Sequence, residues 1–180
     1  MKLVLDVEHT VTKKNDKTYY DPFEPDNKLV MVGCLTDKGE EYLYRFDEYV
    51  FGTACVGTKQ KIQDLLDKAT VLIGHNIVHD LLWIWETGFT YDKDVFDTML
   101  GEYVLQRGQK KPLSLEACAE RYDLNTKKQD TLKEYFKKGY NVDEIPADEL
   151  KSYLSADLHA TQELYNEITN KLSTEEYNGL

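Results

Sequence analysis

The apolar segment Lys2-Leu-Val-Leu-Asp-Val-Glu8 carries two carboxylates, Asp6 and Glu8, on what its alternation marks as one face of a β-strand. Leu3, Leu5 and Val7 point one way; Val4, Asp6 and Glu8 point the other. A strand this apolar belongs in a core, where unpaired charge is expensive. The fold must therefore leave this strand end in water or place a cation beside it. Two more acids stand in comparable settings: Asp80 in Gly74-His-Asn-Ile-Val-His-Asp80, and Asp157 in Tyr153-Leu-Ser-Ala-Asp157. Four carboxylates brought together can hold two divalent cations, and two such ions can clamp and hydrolyse a phosphodiester.

Each acid also has a plainer reading. Asp6 and Glu8 can be a solvated strand end. Asp80 can be a first-turn acid favoured by a helix dipole, with Asn76 as the cap. Asp157 can be a buried hydrogen-bonding group, one turn from Tyr153 on the same side of its helix. His75 and His79 have the i, i+4 spacing of a helical zinc pair, but no Glu follows the first His, and His75 precedes the expected helix. His9 and His159 flank acidic positions.

Residues 2 to 8 read as a strand. Residues 28 to 37 and 41 to 46 read as a hairpin about the turn Asp37-Lys38-Gly39. A helix is expected over 58 to 68, a buried strand over 70 to 74, a helix from Ile77 to Glu86, and a short strand near Val95-Phe96. Helices follow through Met99 to Leu105, from Pro112 onward, and around Leu132 to Lys138. A long last helix has Pro146 in its first turn and an apolar stripe from Leu150 to Leu172. A hairpin sheet extended by strand-helix units implies a mixed α/β sheet with helices on its faces. The polar stretch Val11 to Asn27 lacks periodicity and reads as a long loop. It sets Lys13, Lys14 and Lys17 beside Tyr19 and Tyr20, a pairing suited to stacking against a nucleic-acid strand.

At 180 residues and 41% hydrophobic, the chain suits one domain, 1–180. A net charge of -11 excludes a general duplex-DNA binder, which carries a basic face. Its three cysteines form no CxxC pair and no disulfide framework, which fits a reducing cytoplasmic setting. No run approaches the ~20 apolar residues of a membrane span, and no signal-peptide pattern follows Met1.

In this order the segments resemble the proofreading 3′–5′ exonuclease domain of family A (phage-type) DNA polymerases. That domain is of the DEDD type, on an RNase H-like fold. Leu5-Asp-Val-Glu8 is similar to the first motif, Gly74 to Asp80 to the second, and Tyr153-Leu-Ser-Ala-Asp157 to the third in its Tyr form. Phe96-Asp-Thr-Met-Leu100, Leu113-Ser-Leu-Glu-Ala117 and Asp21-Pro-Phe-Glu-Pro-Asp-Asn-Lys-Leu-Val30 resemble the connecting segments. The resemblance implies two Mg²⁺ or Mn²⁺ ions held by Asp6, Glu8, Asp80 and Asp157, with Asp6 bridging and Tyr153 orienting the water. It implies that Asn76 touches the terminal nucleotide. His9 stands where relatives often carry a small hydroxyl residue, and Thr10 is displaced by one. The implied substrate is a single-stranded DNA 3′-end, and the implied partner is a polymerase domain or subunit. An RNase D-like exoribonuclease and a non-catalytic nucleic-acid-binding or polymerase-interaction module remain as alternatives.

Overall fold

The computed structural model describes residues 1–46, 53–124 and 131–174. Five strands form one sheet: β1 (Lys2–His9), β4 (Leu29–Thr36), β5 (Glu41–Arg45), β6 (Val71–Gly74) and β7 (Asp94–Asp97). Their order is β5-β4-β1-β6-β7, with β4 antiparallel to its neighbours and β6 and β7 parallel to β1. The sheet is mixed, as the sequence implies.

The alternation along β1 sorts the two faces. Leu3, Leu5 and Val7 join a core with Ile62 and Leu66 of α1 (Thr53–Lys68) and Leu81 and Ile84 of α2 (Ile77–Glu86). Val4 joins a second core with Leu150, Leu154 and Leu158 of the long helix α6 (Ala147–Leu172). Burying each such leucine contributes about 1.5–3 kcal/mol relative to exposure. This is what lays α6 across the face that also bears Asp6 and Glu8. The described residues also form helices α3 (Thr98–Leu105), α4 (Leu115–Arg121) and α5 (Thr131–Lys137) and a short 3-10 helix at Val142–Glu144. Cys118 packs with Leu164 and Ile168 in a third, smaller cluster. Cys34 and Cys118 are buried free thiols.

Gly33 sets the approach of α6. It lies opposite Asp6 in the β1–β4 register. A Cβ there would sit 2.8 Å from Leu154 Cγ and 2.9 Å from Leu158 Cδ1. Only a residue without a side chain lets the α6 leucines close onto the sheet, which is a recognised use of glycine within a strand. The β1–β4 register also shifts between Glu8↔Met31 and His9↔Leu29, at the end of β1 that carries the acids.

The sequence expectation differs in four places, one being that the helix expected from Pro112 onward begins at Leu115, with Ser114 as its N-cap. Val11 to Asn27 is not simply a loop: Thr12–Lys14 and Lys17–Tyr19 pair as a two-stranded hairpin, β2–β3. The turn residues Asn15 and Asp16 both have positive φ, 49° and 61°, as a two-residue hairpin turn of the I′ kind needs. Its strands lack apolar alternation because this hairpin stands off the main core. Helix α1 starts at Thr53, five residues before the expected 58. Pro146 caps α6 from outside, with extended ψ of 136°, so the helix proper begins at Ala147.

Candidate active site

The acids gather where the parallel strands end, which is where open α/β sheets generally bind ligands. Asp6 and Glu8 come from the C-terminal end of β1. Asp157 comes from α6, lowered onto the sheet by the Gly33 contact. One carboxylate oxygen from each of Asp6, Glu8 and Asp157 falls within 4.8 Å of the others. Asp80, on the first turn of α2, is only 4% exposed. It stands outside the close triad, yet its charge raises Asp6, and Glu8 in turn raises Asp80.

Burial is the largest influence on Asp6, Glu8 and Asp80, followed by the neighbouring carboxylates. Asp6 and Asp80 are held well above the usual carboxylate range, and the Val7 backbone N–H acts the other way on both. Glu8 is pushed up to about 8 by burial and then by Asp157. Like charges crowded into a partly buried site raise one another in this way when nothing positive stands between them. The donor set fits divalent metal: hard, all-oxygen and several-fold anionic, which suits Mg²⁺ or Mn²⁺.

A raised carboxyl means that the folded protein keeps a proton the unfolded chain has lost. Between the ordinary value of 4.5 and about 8, ionisation of Glu8 therefore opposes folding. With chelator present, stability should fall as pH rises from 5 to 8. Glu8→Gln should remove on the order of a few kcal/mol of that fall, at about 1.4 kcal/mol per unit and discounted for partial exposure. Parallel melting curves for the two proteins across this range check it; identical slopes would mean Glu8 is solvated and unperturbed.

Tyr153 lies one turn before Asp157, half-buried against the second core. Burial, then Asp157, Glu8 and Asp6, push its phenol far up, so the hydroxyl stays protonated and available as a donor. Asn76 sits at the α2 N-terminus in the left-handed region, φ 61°, and its side chain makes no cap bond. Asn76 thus holds the N-cap position considered above without the side-chain bond, and the residue is exposed. Its backbone N–H instead donates to Asp97 Oδ1 at 2.9 Å, and the same oxygen caps α3 by accepting from Met99 N–H. Asp97 holds the Asn76 turn and adds to the charge felt by Asp80. The sequence reading passed over this role; the signal was an N-cap acid at a strand-helix junction.

The histidines separate. His75 donates from Nε2 to Leu113 O at 2.6 Å, with Nδ1 2.8 Å from Thr98 Oγ1. His79 Nε2 instead lies 2.7 Å from His9 Nε2. The zinc pairing is thus not formed. His9 Nδ1 donates to Thr10 O, and burial lowers the ring's affinity for a proton, so its Nε2 accepts from His79. The His9 ring stacks on Trp83 at 4.4 Å. Thr10 is buried, and its hydroxyl accepts from the Lys28 N–H at 2.8 Å. His159 faces Glu41 of β5 at 3.0 Å rather than the acids. Tyr19 is partly covered, and Tyr20 is open to solvent.

The sheet order, the helices on both faces and the acid cluster at the strand ends define an RNase H-like exonuclease domain of the DEDD type. Residues 18–173 match the 3′–5′ exonuclease family of A-type DNA polymerases, and the chain belongs to that family. Asp6 and Glu8 precede the matched region; Asp80, Tyr153 and Asp157 lie within it. DNA polymerase I of Borreliella burgdorferi is 30% identical over 123 residues, covering 67% of this chain and 13% of that protein. The chain thus spans a small part of this curated relative. Among solved structures, Brucella melitensis NrnC bound to pGG has a TM-score of 0.66 at 17% identity, covering 98% of this chain and 75% of that one. NrnC with bound Mg²⁺ has a TM-score of 0.63 at 16% identity, covering 98% and 76%. The family B DNA polymerase of Pyrobaculum calidifontis has a TM-score of 0.58 at 17% identity, covering 95% and 25%. These structural likenesses concern the fold. Among the described residues, no helix is long and apolar enough to cross a membrane.

Proposed function

We propose that this chain, acting as a single domain over residues 1–180, removes 5′-mononucleotides from the 3′-end of single-stranded DNA and proofreads for a DNA polymerase. The observation that carries this is the convergence of Asp6, Glu8 and Asp157 within 4.8 Å, with Asp80 close behind. Asp6 would hold two divalent cations, Mg²⁺ or Mn²⁺. Glu8 and Asp157 would complete the water-activating position, and Asp80 would serve the other. When bound, such cations acidify water and neutralise the charge that develops on the phosphate. The chain's own part is positioning. Tyr153 donates a hydrogen bond that aims the water oxygen at phosphorus. The new P–O bond forms as the P–O3′ bond breaks, and the water proton ends on the departing 3′-oxygen. Asn76, open to solvent beside Asp80, would touch the terminal nucleotide. His9 and Thr10 would shape the strand end from within.

Proofreading draws support from the kinship with DNA polymerase I. An exoribonuclease reading is favoured by a different observation, the similarity to a nuclease structure bound to pGG. Labelled DNA and RNA strands of one sequence, single or paired at the 3′-end, test both. Single-stranded or frayed DNA should be degraded fastest, with 5′-mononucleotides as products. Faster loss of the RNA strand would transfer the reading to RNA, where the 2′-hydroxyl decides. Cleavage of circular single strands at a comparable rate would indicate an endonuclease.

Tyr153→Phe deletes one hydroxyl and keeps the packed ring. Turnover should fall roughly 10- to 100-fold, as for a transition-state hydrogen bond of about 1.5–3 kcal/mol. Asp157→Ala should lose far more. Metal titration separates the two, because Tyr153→Phe should bind metal as the wild type does.

A further inference from the structure

Beside the acid site lies a cleft of about 520 Å³ that the reaction does not use. That size falls within the range of ligand pockets. Lys13 of β2 and Thr18 of β3 line it, with Val11 just before β2 and Tyr20 just after β3; Phe136 and Tyr140 line it as well. The pleat explains this choice. Thr12 and Lys14 point to the opposite face, where Thr12 donates to Asn27 and Lys14 pairs with Glu24 and Asp26. One face of the hairpin is thus satisfied by its own loop, and the other looks into the cleft.

Three rings in this cleft are open to solvent: Tyr20 is 57% exposed, Phe136 50% and Tyr140 42%. Their frame is held in place. Trp83 Nε1 donates to Tyr20 O at 3.2 Å, and the Tyr140 ring stands edge-on to Tyr135 at 5.5 Å. The Asn141 side chain accepts from Val11 N–H and donates to Val11 O, bolting the two walls together. Grouped aromatic faces beside a lysine are the composition of a stacking platform for single-stranded nucleic acid. Position agrees: Val11 is three residues beyond Glu8, at most about 11 Å along the backbone.

We propose that this cleft seats bases of the single strand upstream of its terminal two nucleotides, stacked on Phe136, Tyr140 and Tyr20, with Lys13 on the backbone. The proposal rests on the exonuclease reading for the strand's polarity, though not for its binding.

The test measures anisotropy of a 5′-labelled deoxy-decamer in EDTA, where nothing is cleaved. Phe136→Ala/Tyr140→Ala should weaken binding by about tenfold or more, since each lost stack is costly. Phe136→Tyr, which keeps the ring, should bind as the wild type does. With Mg²⁺, the ratio of kcat/KM for decamer over dinucleotide should fall in the double variant by a similar factor. Decamer binding equal to wild type in the double variant overturns the proposal, as do equal losses on decamer and dinucleotide. If wild type hydrolyses neither substrate, the exonuclease reading fails, and the binding comparison in EDTA still decides the cleft.

Discussion

Replacing Asp6 with alanine is expected to reduce hydrolysis by on the order of a thousandfold or more, because the bound cations contribute several kcal/mol and each 1.4 kcal/mol is tenfold. Asp6 would be the ligand shared by both ions, so its loss disturbs the whole assembly. The fold should survive. Asp6 lies opposite Gly33 in a fully paired strand, and its carboxyl is raised by burial and by Asp80, Glu8 and Asp157. Removing it relieves that repulsion, so the metal-free variant should melt no lower than wild type near neutral pH. Turnover and melting temperature measured on one preparation check both parts. Near wild-type turnover would remove Asp6 from the site. Lost turnover with a collapsed melting curve would make its role structural.

Chelation should produce an equally large effect. With EDTA, hydrolysis should be undetectable, and Mg²⁺ or Mn²⁺ should restore it. Metal should also stabilise the folded protein, by about 2.7 kcal/mol at a hundredfold excess over Kd. For a domain of this size that corresponds to roughly 5–10 °C in melting temperature. The rise should be larger at pH 8 than at pH 6, because Glu8 holds its proton up to about 8 and protons compete with the ions. In Asp6→Ala the metal-induced rise should shrink. Full activity in chelator would end the two-metal reading, and a rise that persists undiminished in Asp6→Ala would place the ions elsewhere.

What the sequence determined by itself was whatever depends on local period. The two-residue spacing of Asp6 and Glu8 puts both on one strand face, and the four-residue spacing of Tyr153 and Asp157 puts both on one helix side. Helix α2 runs from Ile77 to Glu86 as its apolar pattern implies. The stripe on α6 identified the helix that would cross the sheet. Polar hairpin β2–β3 escaped the same reading, because its strands carry no core face; the positive φ of Asn15 and Asp16 marks its turn. Tertiary structure alone decided how near Asp157 comes to Asp6. That distance depends on Leu154 and Leu158 settling over Gly33, a fit of volumes between residues far apart in the chain. It also decided that Asp97 holds the Asn76 turn, and that His9 binds His79 rather than leaving it to His75. Side-chain direction repeats every two or 3.6 residues and can be read along the chain. The distance between groups on separate elements depends on the atoms packed between them, and no local pattern records it.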